Sequence, residues 1–225
     1  MKALVIGSSG GIGQALAARL RVDLGSDAVA TLSRSEDGFD LGDEASITQA
    51  ARDLGDRYGA FNLIINATGA LMIDSHSPEK TIKAISADAM MSQFRVNAIG
   101  PALLLKHFHP LLPRKSRSVF ASLSARVGSI GDNRLGGWIS YRAAKPAQNQ
   151  IIKTAALEIA RTHPDAIVVA LHPGTVATQL SRPFSKDHHT VEPDHAAARL
   201  LEVIAKLGPP QSGGFFSYDG EAIDW

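Results

Sequence analysis

Short apolar runs rich in Val, Ile, Leu and Phe alternate along this chain with longer amphipathic stretches. Each run is apolar throughout, a pattern that predicts a strand buried on both faces of a sheet. The predicted strands are residues 3–6, 28–32, 61–65, 119–123, 166–171 and 215–217. The amphipathic stretches have the spacing of helices with one apolar face, and they predict helices over residues 12–22, 44–58, 88–112, 139–162 and 195–207.

Strand and helix alternate almost throughout, which predicts an α/β protein with a doubly wound parallel sheet, the three-layer α/β/α Rossmann fold. Ligands of such folds bind at the carboxyl ends of the strands, so functional residues are expected just after strands. No stretch resembling a linker divides residues 1–225, which predicts a single domain. The least periodic segments, 74–87 and 181–194, are expected to form loops over a site.

Composition narrows the function further. Of 225 residues, 44% are hydrophobic and 20% are charged, which is typical of a soluble globular protein. The net charge is +1, and the one dense basic cluster lies beside Pro113 in an expected loop, so we expect no nucleic-acid partner. The chain has no cysteine and no apolar run long enough to span a membrane. Residues 3–6 are too short for the apolar core of a secretory signal, so we expect none. We therefore expect a cytoplasmic protein that is not bound to a membrane.

A glycine-rich turn follows the first predicted strand and precedes the first predicted helix. Its glycines are Gly7, Gly11 and Gly13, and Ser9 and Ile12 lie between them. Backbone can approach a pyrophosphate closely where no Cβ intervenes, and amides at a helix N-terminus receive the negative charge. Because the turn lies directly between strand and helix, it predicts dinucleotide binding.

The end of the second strand is expected to contact the adenosine ribose, where an Arg accommodates the 2′-phosphate of NADP and an acidic residue favours NAD. Arg34 occupies this position and predicts a preference for NADP(H). Glu36 and Asp37 follow closely and leave NAD(H) open. Asp40 and Leu41, after an expected third short strand, are candidates to contact the adenine ring.

A candidate catalytic pair opens the helix predicted over residues 139–162. Tyr141 and Lys145 are four residues apart and share one helix face. An ammonium beside a phenol is expected to stabilise the phenolate and lower its pKa, which makes the pair a usable general acid and base. Ser124 lies upstream, directly after a predicted strand.

Together these features resemble the short-chain dehydrogenase/reductase family nearly end to end, and within it the C-factor-like branch. The family motifs are Gly7–Gly13, Asn66–Gly69, Val96–Gly100, Ser124, Tyr141–Lys145 and Pro173–Thr178. The branch is indicated by 124–130, Asp132-Asn133, Gly136–Trp138, Tyr141-Arg142 and the ending 218–225.

The resemblance implies a hydride transfer between NADP(H) and a carbonyl or alcohol substrate. Tyr141 would move the proton, Lys145 would hold the nicotinamide ribose, Ser124 would bind the substrate carbonyl and Asn97 would position a water. The residues implied for the cofactor are Asn66, Ala67, Thr68 and Gly69 on the adenosine-ribose side, and Pro173, Gly174, Val176 and Thr178 on the nicotinamide side. It also implies a homodimer or homotetramer built on the helices 88–112 and 139–162.

The chain departs from the family pattern at three positions. Ala125 stands where the family usually has its catalytic serine, which leaves Ser124 as the candidate and Ser122 as a rival. Ala144 replaces a common serine, and Pro146 directly follows Lys145, where a proline is tolerated in a first turn or at a bend. These departures keep a second hypothesis open, a regulatory protein of the C-factor type that binds the cofactor with little or no turnover.

Other polar residues are expected to be structural. His107 and His109 point apart on a helix, and His188 and His189 are adjacent in a polar segment, so we expect no metal site. Trp138 precedes Tyr141 by three positions and has two interpretations, a wall of the substrate pocket or a core residue.

Overall fold

The computed structural model describes residues 1–74, 76–184 and 190–225. The described residues form six strands, and each of the six predicted strands is confirmed with ends that agree to within two residues. They are β1 (Ala3–Ile6), β2 (Val29–Leu32), β3 (Leu63–Asn66), β4 (Ser118–Leu123), β5 (Ala166–His172) and β6 (Phe215–Ser217).

These strands form one parallel sheet in the order β2-β1-β3-β4-β5-β6, so the doubly wound Rossmann fold is confirmed. The chain leaves β1 to one side for β2 and then crosses to the other side for β3, which opens a crevice at the carboxyl end of β1. The register aligns Ile6 with Leu32 and Asn66, and Asn66 with Ser122. The strands therefore end side by side along one edge of the sheet.

Seven α-helices of the described residues cover the two faces of the sheet. They are α1 (Gly11–Leu24), α2 (Arg34–Asp37), α3 (Glu44–Tyr58), α4 (Ala87–Phe94), α5 (Gly100–Phe108), α6 (Ile139–Ile159) and α7 (Pro193–Lys206). Side chains alternate across each strand. In β1, Leu4 and Ile6 belong to the core beneath α3, α5 and α6, whereas Ala3 and Val5 belong to the core beneath α1 and α7.

The prediction of a single helix over residues 88–112 is wrong, because this stretch is divided into four helical segments. These segments are α4, a π-helical segment (Arg95–Ile99), α5 and a final 3₁₀ turn. One extra residue per turn in the π segment keeps the helix path continuous, so the apolar spacing alone does not reveal it.

The prediction of a third short strand before Asp40 is also wrong. Residues after β2 instead form α2, because the Ser33 hydroxyl accepts a hydrogen bond from the Glu36 amide and Gly38 ends the helix in the left-handed region at φ +66°. The Asp40 carboxylate then accepts the amide of Gly42 at 2.8 Å and turns the chain towards α3. These local hydrogen bonds replace a strand ladder.

Among the described residues, no helix is both long enough and apolar enough to span a membrane.

Candidate active site at the carboxyl ends of the strands

The glycine turn leaves no room for side chains. Gly7 has a φ of +86°, and a Cβ on it would lie 2.9 Å from the carbonyl carbon of Ala67. A Cβ on Gly13 would lie 2.2 Å from the oxygen of Gly7, and one on Gly11 would lie 2.8 Å from Thr178. Helix α1 begins at this turn without a side-chain cap. Its free amides and the bare backbone suit the pyrophosphate of a nicotinamide dinucleotide.

A cavity of about 640 Å³ lies next to this turn. It gathers predicted residues from five separate segments of the chain, which are Ile12, Ala67, Thr68, Gly69, Ser124, Tyr141, Lys145, Pro173, Gly174, Val176 and Thr178. Asn66 lies beneath this set, fully buried, and its side-chain oxygen accepts a hydrogen bond from the Thr68 amide at 3.0 Å. The strand ends thus bring the two predicted cofactor regions to one place.

The predicted adenosine end is more open. Arg34 is exposed and begins α2 immediately after β2. The Asp37 carboxylate accepts the Ser33 amide at 2.7 Å, so it supports the turn at the start of α2. Ser9 and Asp40 are exposed, whereas Leu41 packs against Gly100 and the core.

Tyr141 and Lys145 lie one turn apart on α6, and both are buried against the cavity. The Lys145 ammonium nitrogen is 5.7 Å from the centre of the Tyr141 ring. It donates hydrogen bonds to the oxygen of Leu123 at 3.2 Å and to Gln148 Oε1 at 2.8 Å. Pro146 lies inside α6, not in its first turn, yet Lys145 keeps its place on the Tyr141 face.

Burial controls the ionisation of this pair. Desolvation raises the pKa of Tyr141 and lowers the pKa of Lys145 to about 7. The prediction that the Lys145 ammonium lowers the pKa of Tyr141 is therefore wrong, because burial raises that pKa. The Tyr141 hydroxyl is held in its protonated form at neutral pH, which is the form that can donate a proton.

Asn97 lies in the π-helical segment and is fully buried. Its side chain accepts a hydrogen bond from the Ala70 amide at 3.1 Å and donates to Gln93 at 2.7 Å. A Cβ on Gly69 would lie 3.2 Å from Asn97 Oδ1 and 3.7 Å from Lys145 Nζ. Both side chains therefore approach the bare backbone of Gly69, where any larger residue would crowd them.

The two candidate serines have different surroundings. Ser122 is fully buried away from the cavity, and its hydroxyl accepts hydrogen bonds from Asn66 at 2.8 Å and Gln148 at 2.9 Å. Ser124 lines the cavity, although its hydroxyl donates to Asn149 Oδ1 at 2.7 Å. Ala125 lines the cavity as well.

Several residues of the site were missed by sequence reasoning. His172 ends β5 and lines the cavity, and its position directly before Pro173 was the available signal. Its Nδ1 accepts the Arg126 amide at 3.2 Å, and burial lowers its pKa to about 4, so the imidazole is neutral. Trp138, for which a pocket wall was one of two interpretations, lines the cavity in contact with Tyr141 at a ring-centre distance of 6.4 Å.

A buried carboxylate supports this wall. Glu79 accepts hydrogen bonds from the amide and hydroxyl of Ser140, and its backbone oxygen accepts the Trp138 amide at 2.5 Å. These contacts hold Trp138 in the left-handed region at φ 52°, a strained conformation for a tryptophan. No group of three metal-ligating side chains occurs in the described parts of the chain; His188 and His189 lie outside them.

The family model for short chain dehydrogenases matches residues 1–189. The chain belongs to the short chain dehydrogenase family. As a member of it, the protein is an NAD(P)-dependent oxidoreductase.

Individual relatives agree with this membership. This chain is similar to 1-hydroxy-2-glutathionyl-2-methyl-3-butene dehydrogenase of Rhodococcus sp. (strain AD45), with 29% identity over 99% of this chain and 98% of the relative. It is also similar to C-signal of Myxococcus xanthus, with 33% identity over 60% of this chain and 78% of the relative. A short-chain dehydrogenase/reductase-type protein of Burkholderia multivorans with bound NADP superposes with a TM-score of 0.79, at 25% identity over 100% and 99% of the two chains.

Proposed function

We propose that this short-chain dehydrogenase transfers a hydride between NADP(H) and a carbonyl or alcohol substrate, with Tyr141 as the general acid and base. The observation that carries the proposal is the position of Tyr141. Tyr141 lies in the wall of the cavity that the glycine turn adjoins, and burial raises the pKa of its hydroxyl, which is protonated at neutral pH. The name of the Rhodococcus relative describes the oxidation of an alcohol, the same class of reaction.

Bound NADPH would supply the hydride, and the residues of the chain orient the reactants and manage the proton. Tyr141 donates its proton to the substrate oxygen in the reducing direction. Lys145 holds the nicotinamide ribose, and Asn97 fixes the backbone at Ala70 beside Lys145. Ser124 lines the cavity, and a turn of its side chain away from Asn149 would free its hydroxyl for the substrate carbonyl.

The preference for NADP(H) rests on Arg34. Its guanidinium is exposed directly after β2, whereas the nearby Asp37 carboxylate is engaged with the Ser33 amide. NADP is bound in the Burkholderia relative. We expect Arg34→Ser to weaken NADPH binding about tenfold or more, since a charged hydrogen bond contributes roughly 1.5–3 kcal/mol, and to leave NADH binding little changed. Fluorescence titration with each cofactor measures both values, and an equal change in both would contradict the assignment.

Tyr141→Phe tests the catalytic role. Loss of the proton donor is expected to reduce kcat by about 10²–10⁴ while NADPH affinity stays the same. Tyr58→Phe is the matched control, because Tyr58 ends α3 away from the cavity. A wild-type protein that binds NADPH tightly but reduces no member of a broad aldehyde and ketone panel would favour the second hypothesis, a sensor of the C-factor type.

We further propose that the protein forms a homodimer or homotetramer through α4, the π segment and α6. Large apolar side chains are exposed there, with Met91 61%, Ile99 51% and Leu157 62% exposed. Burial of such residues between subunits would remove apolar area from water. Sedimentation equilibrium measures the mass; Leu157→Glu is expected to shift it towards the monomer, and a wild-type monomer would contradict the proposal.

A further inference from the structure

Three arginines from three separate segments line the cavity. Arg126 is in the 3₁₀ turn after β4, Arg134 is in the loop before α6, and Arg142 directly follows Tyr141. Among the described residues of the lining, the one carboxylate is that of Asp132. Apart from Lys145 beside the catalytic tyrosine, the wall therefore carries three positive charges and one negative charge.

These guanidinium groups are not neutralised by ion pairs. In the described ranges, ion pairs within 4 Å join Arg19 to Asp23 and both Lys106 and His107 to Glu44, and none involves a cavity arginine. Arg142 Nε is buried and has no hydrogen-bond partner among the described residues. A buried donor without a partner is costly, so a turn of the Arg142 side chain that brings its guanidinium to a ligand in the cavity would recover that energy.

Neighbouring groups change the net positive charge of the cavity wall little. His172 adds no positive charge, because its pKa is lowered to about 4 by burial. Asp219 interacts electrostatically with Arg126 and compensates part of its charge. Arg134, which is exposed, and Arg142, which is partly buried, are left without an ion-pair partner among the described residues.

Several large apolar side chains line the same cavity as the arginines and Tyr141. Trp138 packs edge-on against Phe184 at a ring-centre distance of 5.3 Å, and Leu135 and Leu180 line the same space. Such a surface accommodates an apolar body rather than a sugar or a polar chain. Its aromatic part is in contact with the proton donor, since the Trp138 ring lies 6.4 Å from the centre of the Tyr141 ring.

We propose that the substrate is a carbonyl compound with an apolar body and a carboxylate, and that Arg142 and Arg134 bind the carboxylate. This inference rests on the function proposed above and deepens it. A guanidinium presents parallel N–H donors that match the two oxygens of a carboxylate. Binding at this end holds the carbonyl towards Tyr141, so the arginines determine substrate specificity and take no part in proton transfer.

A pair of substrates that differ in one charge tests the inference. The NADPH-dependent reduction of 4-formylbenzoate is compared with that of its methyl ester, in the wild type and in Arg142→Met, Arg134→Met and the double variant. We expect kcat/KM of the wild type to favour the carboxylate at least tenfold, mainly through KM, and each variant to reduce this ratio by about tenfold. A ratio near one in the wild type, or one that the double variant leaves unchanged, would overturn the inference.

Two controls distinguish a substrate carboxylate site from a general effect of positive charge and from a cofactor site. Arg161→Met removes an exposed arginine outside the cavity lining and is expected to leave the ratio unchanged. NADPH affinity is measured for every variant. If Arg134→Met and Arg142→Met weaken NADPH binding as much as they weaken 4-formylbenzoate reduction, the arginines serve the cofactor and the inference is wrong.

If neither aldehyde is reduced, the proposed function is contradicted but the anion site is not yet tested. A binding measurement then tests the anion site by itself. Tryptophan fluorescence is followed in Trp225→Phe, which leaves Trp138 as the one tryptophan of the chain, while 4-tert-butylbenzoate or the corresponding amide is added to the protein saturated with NADP⁺. We expect the carboxylate to bind at least tenfold more tightly than the amide, and the double variant to abolish the difference. Equal binding of both compounds would refute the anion site itself.

Discussion

Replacement of Lys145 by Met is expected to abolish catalysis and to stabilise the fold. Lys145 is buried, and its pKa falls from 10.5 to about 7. Each pKa unit corresponds to about 1.4 kcal/mol, so the burial of this amine costs on the order of 4 to 5 kcal/mol at pH 7. Such a cost is typical of a functional group that the fold retains for its chemistry.

The hydrogen bonds of Lys145 offset part of this gain. Its removal leaves Gln148 Oε1 without that donor, which costs roughly 1–3 kcal/mol, whereas the Leu123 oxygen still accepts from Gln148 Nε2 at 3.1 Å. We therefore expect Lys145→Met to raise the free energy of unfolding by about 2 to 3 kcal/mol at pH 7. For a chain of this size that corresponds to about 4 to 12 °C in Tm.

The pH dependence of the free energy of unfolding tests the role of Lys145 more directly than a single value at pH 7. Between pH 7 and 10.5 the unfolded chain binds the Lys145 proton and the folded chain does not, so wild-type stability gains about 1.4 kcal/mol per pH unit from this group. The variant lacks this gain. Urea unfolding at pH 7, 8 and 9 should show its advantage shrinking as pH rises.

Lys153→Met is the control, since Lys153 lies on the same helix and is only partly buried. Its effect on the free energy of unfolding is expected to stay within about 0.5 kcal/mol at every pH. The reasoning fails if Lys145→Met is less stable than the wild type at pH 7, or if the difference between the two proteins is the same from pH 7 to 9.

Three further predictions concern other parts of the fold. Gly13→Ala should abolish NADPH binding in a fluorescence titration, because its Cβ would lie 2.2 Å from the Gly7 oxygen, whereas Gly10→Ala, with its nearest contact at 3.5 Å, should bind almost normally. Ser33→Ala removes the cap of α2 and should lower Tm through a loss of about 1 kcal/mol. Glu79→Gln should cost about 1–2 kcal/mol in urea unfolding at pH 7. Desolvation raises the pKa of Glu79, but hydrogen bonds from Ser140 and from the Glu79 amide together lower it below its ordinary value of 4.5, so this loss should shrink as pH falls below that value.

The elements of the sheet could be predicted from sequence because their signals are local. A run such as residues 3–6 is apolar at every position, and in the structure all four residues are buried on both faces. The glycine turn and the spacing of Tyr141 and Lys145 are also local, since one turn of a helix brings i and i+4 together. Both features lie where the sequence predicted them.

The failures arose where local hydrogen bonds compete with periodicity. The π segment at Arg95–Ile99 continues the helical path of its neighbours and leaves no break in the apolar pattern. The expected strand before Asp40 gave way to α2 because the Ser33 cap and Gly38 close a helical turn there. Neither outcome follows from hydrophobicity alone.

By itself, the sequence determined the α/β class, the order of strands and helices, the glycine turn and the helix that carries Tyr141 and Lys145, because each depends on residues within a few turns of one another. Only the tertiary structure decided which groups face the cavity and how they ionise. It buried Lys145, turned Ser124 towards Asn149 and joined Arg126 to Arg142 in one wall. These outcomes depend on contacts between segments far apart in the chain, and on the exclusion of water that those contacts produce.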